Sequence, residues 1–250
     1  MSESLLSDAF LSEKLPVERF DFIASDGGAL PCCRHIAGED LPGQYSLLLF
    51  LHGAGSVGND NLSQMRIPGP PLIRFAQQLQ LKIVMLFPQC DKGFQWVDVP
   101  WGDDSHSMPQ KPSVFMRRAL ELLDSETARF QPDANRIYAG GISMGGYGAW
   151  DLVCRRPQTF AAVLVLCGGG DNKQATHLSH LPAYLLHGAK DTAVPVKRSR
   201  DMAEALRQAG NSQVTYSELP DHAHNVWEPC FAEDKAMQWL FSQSKNQPSG

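Results

Sequence analysis

RIYAGGISMGGYGAWDLVCRR, residues 136–156, runs from a short apolar stretch through a glycine-flanked serine into a helix-like segment. Arg136 to Ala139 has strand character. The segment from Ser143 to Arg156 has helical character and stops before Pro157, as expected where a proline ring crowds the preceding residue. Between them, Gly141-Ile142-Ser143-Met144-Gly145 matches G-x-S-x-G. Strand before and helix after are the context in which that pattern forms a nucleophile elbow. A sharp turn lifts the serine hydroxyl clear of the sheet, and small neighbours let the backbone fold tightly. The helix that starts there aims its N–H groups and positive dipole end at developing negative charge. The competing reading is a glycine-rich turn whose serine merely caps the helix.

Working outward, the apolar run Ser46 to Leu51 suits a strand buried on both faces of a parallel sheet. The same character recurs at Ile83 to Phe87, Ala161 to Cys167 and Ala183 to His187, with Gln213 to Glu218 nearer an edge. Val17 to Ile23 and Ala29 to Ile36, joined by Asp26-Gly27-Gly28, read as a hairpin. Helical spacing connects the strands: Phe115, Ala119, Leu122 and Leu123 share one face. Val196 to Ala209 forms another helix, and a last one spans about Phe231 to Ser244 with Met237, Leu240 and Phe241 inward. Alternating strands and helices predict an α/β fold, a mostly parallel sheet with helices on both faces. No linker or repeat divides residues 1–250, so one domain is expected, with 1–15 as a loosely docked arm. Residues 93–112, with Trp96, Trp101 and three prolines, read as a long loop that supplies a wall or lid.

A serine hydroxyl needs a base beside it and an acid behind the base. In strand–helix folds of this kind the acid and then the base follow the serine in the chain. Asp191, just after the Ala183 strand, is the expected acid, and Asp171, after the preceding strand, is its rival. The base is His222 or His224, both in the loop before the last helix. For the oxyanion, the glycine-rich His52-Gly53-Ala54-Gly55 follows an early strand and can present the Ala54 N–H, with the Met144 N–H as second donor. His52 and His187, at strand ends, read as structural hydrogen-bonding residues. Gly53, Gly55, Trp96, Trp101, Tyr147 and Trp227 are candidate lining for a substrate pocket.

The formal net charge of -5 offers no electrostatic footprint for nucleic acid. The basic pairs Arg117-Arg118, Arg155-Arg156 and Lys197-Arg198 read as solvated helix faces. No apolar run is long enough for a membrane span, and the amino terminus does not read as a secretory signal. The six cysteines lack zinc-type spacing, and with no signal a reducing cytoplasm is expected. Cys32 and Cys33 should point to opposite faces of a strand. A Cys90–Cys230 bridge stays open. Asp103, Asp104 and His106, or His177 and His180, are weak metal groups; solvated loop residues are preferred, so no metal and no organic cofactor is expected. Oligomeric state is not legible.

FLHGAGSVGNDN, FPQC, GGISMGGYGAWDL, HGAKDTAVPV and AHNVWEP occur in that order. Together they resemble the phospholipase/carboxylesterase and predicted-peptidase branch of the α/β-hydrolases, near the dienelactone-hydrolase-like esterases, over about residues 45–241. The resemblance implies Ser143 as nucleophile, Asp191 as acid and Ala54 and Met144 as oxyanion donors. It favours His224, which matches the histidine of the family's G-H-N-x-W stretch with Ala223 in place of glycine. Dienelactone hydrolases use cysteine as nucleophile; serine here favours ordinary ester hydrolysis of a small-molecule substrate. A serine peptidase and a non-catalytic binding protein on the same fold are the alternatives.

Overall fold

The computed structural model of the protein describes residues 15–245. The arm expected over residues 1–15 falls, apart from Leu15, outside them. Eight strands form one sheet in the order β1-β2-β4-β3-β5-β6-β7-β8. They are β1 (Glu18–Ile23), β2 (Ala29–Ala37), β3 (Ser46–Leu51), β4 (Ile83–Pro88), β5 (Ile137–Ile142), β6 (Ala162–Leu166), β7 (Ala183–Gly188) and β8 (Val214–Leu219). From β4 to β8 all neighbours are parallel. The expected hairpin β1–β2 adds antiparallel strands at one edge.

Alternation along each strand separates two cores. Leu47, Leu49 and Leu51 of β3 face one, Leu48 and Phe50 the other. The first is closed by helices α2 (Val114–Phe130), α3 (Met144–Arg155) and α4 (Lys197–Gln208). The second is closed by α1 (Gly69–Gln78), α5 (Trp227–Ala232) and α6 (Lys235–Ser242). Cys32 and Cys33 divide between the two cores, as expected. Cys90 and Cys230 also lie on opposite faces, and all six thiols are free. No described helix is long and apolar enough to cross a membrane.

Three elements differ from expectation. Strand β5 runs on through Gly140 and Gly141, because Gly141 pairs with Leu51 and Ile142 with Leu166. Helix α1 was hidden by its prolines, which occupy the first turn, where a missing N–H costs nothing. The single last helix is two, α5 and α6, separated at Asp234, whose φ of 55° is left-handed. Asp tolerates that conformation, and no Gly or Pro marks the break.

From β3 the chain passes to β4 on one side; from β5 it passes to β6 on the other. The β3–β5 boundary is therefore the switch point of the sheet, where a crevice opens beyond the strand ends. The HGAG loop leaves β3 there and the serine turn leaves β5.

Candidate active site

The serine turn is built by close approach. A Cβ on Gly141 would lie 2.0 Å from the Gly145 carbonyl oxygen, and one on Gly145 would lie 2.0 Å from that of Leu51. Both contacts are impossible for any other residue. The strain falls on Ser143 itself, at φ 56° and ψ −119°. Its N–H donates to the Leu166 carbonyl at 2.7 Å, which pins the turn to β6. The Ser143 hydroxyl makes no cap to α3. Instead it lies 2.8 Å from His224 Nε2. That distance discards the reading of Ser143 as a mere helix cap.

His224 Nδ1 lies 2.7 Å from Asp191 Oδ2. A ring nitrogen facing a carboxylate carries the proton, so Nε2 is left to accept from the serine hydroxyl. The His224 carbonyl accepts from the Cys167 thiol at 3.0 Å and from the Val226 N–H at 3.0 Å. Burial pushes the Cys167 thiol well up from its ordinary pKa, so it remains a neutral donor. The edge of Trp227 meets the imidazole at 5.5 Å between ring centres. His222, the other candidate, contributes its backbone: its carbonyl accepts from the Lys190 N–H at 3.0 Å.

Asp191 is fully buried in side chain. Its Oδ1 accepts from the N–H groups of Ala193 and Val194 at 2.8 and 2.9 Å. Its Oδ2 accepts from His224 and also from His187 Nε2 at 3.1 Å. Burial raises the pKa of this carboxyl, but the bonds from His187, His224 and Val194 outweigh it and hold it well below the usual carboxylate range. His187 Nε2 also faces the Val194 carbonyl at 3.1 Å, so it carries the proton there; Nδ1 meets the Ser199 hydroxyl at 2.7 Å. The structural reading of His187 gains a specific content: it is the second donor on the acid. Asp171, the rival acid, caps the 3-10 segment Asn172–Leu178 and accepts the Met108 N–H at 2.9 Å. It anchors the long loop.

Gly53 packs against the elbow, and a Cβ there would lie 3.4 Å from Ser143 Cβ. Ala54 opens a short 3-10 turn after it. Among the described residues no backbone carbonyl takes the N–H of Ala54 or of Met144, the first residue of α3. His52 holds this loop: its Nδ1 meets the Gly53 carbonyl at 2.7 Å, and its Nε2 accepts from the Cys90 N–H at 2.9 Å. Burial lowers the His52 pKa from 6.5 to about 4. The unfolded chain takes up this proton near 6.5 and the folded chain only near 4, so the stability that neutral His52 contributes is complete above 6.5 and is lost as pH falls through that window. The loss should approach about 3 kcal/mol. Thermal unfolding followed between these limits checks it: His52→Gln should show a shallower fall than the parent.

The pocket candidates divide. Trp96 is wholly buried, donating to the His52 carbonyl at 3.0 Å, and Tyr147 is buried with its hydroxyl on the Trp101 carbonyl at 2.9 Å. Both pack beneath the site with each polar tip taken by a backbone carbonyl, and the Tyr147 ring also lines a small cavity with His106, Met108 and Asp171. Trp101 and Trp227 remain partly exposed, and Gly55 has open space beside it. Residues 93–112 carry no helix or strand and are tied down at Trp101, Met108, Pro109 and Gln110 by Tyr147, Asp171 and Arg155. His106 is half-buried and turned to Arg198, so the expectation of a solvated loop residue fails for it. Arg198 is only 2% exposed, so the Lys197-Arg198 pair is not a solvated face. Asp103, Asp104 and His106 do not converge as a ligand group; among the described residues only Cys167, Asp191 and His224 bring three possible ligand atoms together. Two of those three are already joined to each other.

A thermostable esterase of known structure superposes with a TM-score of 0.80 at 29% identity, covering 92% of this chain and 63% of its own. Esterase LipQ of Mycobacterium tuberculosis is 46% identical over 52 residues, 21% of this chain. The protein named Probable feruloyl esterase C of Aspergillus terreus is 24% identical over 182 residues, 70% of this chain. The chain spans 12% of the length of LipQ and 60% of that of the feruloyl esterase. The fold is that of the α/β-hydrolases. The family model described as Phospholipase/Carboxylesterase matches residues 33–236, and the chain belongs to that family.

Proposed function

We propose that the protein is a serine carboxylesterase that cleaves small-molecule esters through an acyl-enzyme. The carrying observation is the unbroken line of hydrogen bonds from Ser143 through His224 to Asp191. In the first half-reaction Ser143 Oγ attacks the ester carbonyl as its proton passes to His224 Nε2. Asp191 stabilises the imidazolium, and the N–H groups of Ala54 and Met144 hold the oxyanion. The intermediate collapses, the C–O bond to the alcohol breaks, and His224 returns the proton to the leaving oxygen. Water then repeats the sequence on the acyl-serine, releasing the acid and restoring the hydroxyl. No step calls for a metal or organic cofactor.

Esterase names among the relatives support this substrate class. The peptidase alternative draws on acylaminoacyl peptidase structures at 14% and 16% identity, which carry the fold alone. A cytoplasmic location is part of the reading and is supported by the six free thiols.

The test is hydrolysis of short p-nitrophenyl esters with a p-nitrophenolate burst matched to enzyme concentration. Ala54→Pro sharpens it by deleting one oxyanion donor. Ala54 is the first residue of its 3-10 turn, and Gly53 before it is extended at ψ 172°, so proline fits the backbone. Turnover should fall by about a hundredfold to a thousandfold with little change in melting temperature. An unchanged rate would remove Ala54 from the oxyanion site.

A further inference from the structure

Two arginines of the fold are buried, and their surroundings differ. Arg34 is met by Glu126 at 2.6 Å and Glu18 at 2.5 Å. That is the ordinary solution for a cation removed from water. Arg198, in the first turn of α4, is 2% exposed and forms no ion pair among the described residues. Among the described residues its guanidinium meets neutral groups: the Asp103 carbonyl at 3.4 Å, His106 Nδ1 and the Tyr147 hydroxyl. Its Nε has no partner. The carbon at its centre lies 5.1 Å from the centroid of the Tyr147 ring.

This cation sits beside the elbow. Tyr147 follows Ser143 by one turn of α3, about 6 Å along the helix axis. Gly169, against which the guanidinium packs, belongs to the β6 end that also carries Cys167 and its bond to the His224 carbonyl. The next residue, Ser199, meets His187, the second donor on Asp191. On its outer side the guanidinium is covered by the segment from Asp103 to His106, in which Asp103, Asp104 and Ser105 are themselves exposed. A neutral imidazole is a weak partner for a guanidinium. A carboxylate matches its planar fork with paired, charge-assisted bonds.

We propose that Arg198 selects esters that carry a carboxylate a few carbons from the scissile bond, the carboxylate replacing His106 and the Asp103 carbonyl when residues 103–106 yield. This rests on the carboxylesterase reading and narrows its substrate class. The carboxylate completes the charge pairing that Arg34 already has, and the bond energy holds the ester carbonyl over Ser143.

The test compares matched pairs. On the acyl side, mono-p-nitrophenyl glutarate is set against p-nitrophenyl valerate; on the alcohol side, p-acetoxybenzoate is set against its methyl ester. For at least one pair the native enzyme should favour the anion in kcat/KM. Arg198→Gln should lower that ratio by about tenfold to a hundredfold, the range for hydrogen bonds to a charged group. Arg198→Lys should restore part of it. A purely structural role would depress both members of a pair alike and leave both ratios unchanged, which overturns the proposal. If Arg198→Gln fails to fold, His106→Ala removes the neutral cover and keeps the cation. The anion-to-neutral ratio should then rise, and an unchanged ratio is equally fatal. Failure of the carboxylesterase reading looks different: neither neutral ester would be turned over in a Ser143-dependent way.

Discussion

Ser143→Ala should lower kcat for a short p-nitrophenyl ester by about a hundred-thousandfold to a millionfold, the scale on which loss of a triad nucleophile is felt. The fold should barely register the change. The hydroxyl caps nothing and its one protein partner is His224. The φ of 56° is as unfavourable for alanine as for serine, so melting should shift by no more than about 0.5 kcal/mol equivalent. Ser143→Gly separates the two effects. It should be as inactive as Ser143→Ala yet more stable by about 1 kcal/mol, because glycine relieves the strained turn. Burst kinetics on both variants, with denaturant melts, check this. Substantial ester turnover in Ser143→Ala would end the case for Ser143 as nucleophile.

Asp191→Asn should cost about ten-thousandfold in kcat, although it changes one atom. The hydrogen bonds dictate how the amide must sit. Oδ1 accepts from two backbone N–H groups, so that position must stay oxygen. The amide nitrogen then falls where Oδ2 was, facing His224 and His187, both of which donate to it in the native chain. Donor would meet donor. His224 relieves the clash by moving its proton to Nε2, and an Nε2–H cannot take the proton of Ser143. Melting temperature should fall as well, since His187 has the Val194 carbonyl but loses its carboxylate. By contrast, His222→Ala should keep most of the activity and His224→Ala almost none. Full activity in Asp191→Asn would show that Asp191 does not set the tautomer.

Strand–helix alternation and the serine turn were legible because each is written locally. Ser143 sits in a five-residue pattern whose glycines are demanded by contacts of 2.0 Å, and such contacts tolerate no substitute. Arg198 was illegible for the opposite reason. Its neighbours in sequence are polar and helical, and its burial comes from Asp103 and His106 some 95 and 92 residues away. His187 likewise reads as a strand-end histidine until β7 and the Asp191 turn place its Nε2 against the acid. Asp171 looked like an acid because it also follows a strand, but its oxygens are spent on Met108 and Lys173 N–H groups. Helix α6 could not be parted from α5 by periodicity, since a left-handed Asp234 leaves the apolar spacing intact.

Each part of the proposed catalytic line arrives on a different strand: the HGAG loop on β3, Ser143 on β5, Asp191 on β7 and His224 after β8. His224 stands 81 residues from Ser143 and 33 from Asp191. Contacts of such sequence separation close late, after loop entropy has been overcome across the whole parallel sheet. A chain that has gained its helices and its first strand pairs still lacks a base. On the carboxylesterase reading, turnover would therefore report that β3, β5, β7 and β8 are all docked, the widest-separated pairing being β3 with β5.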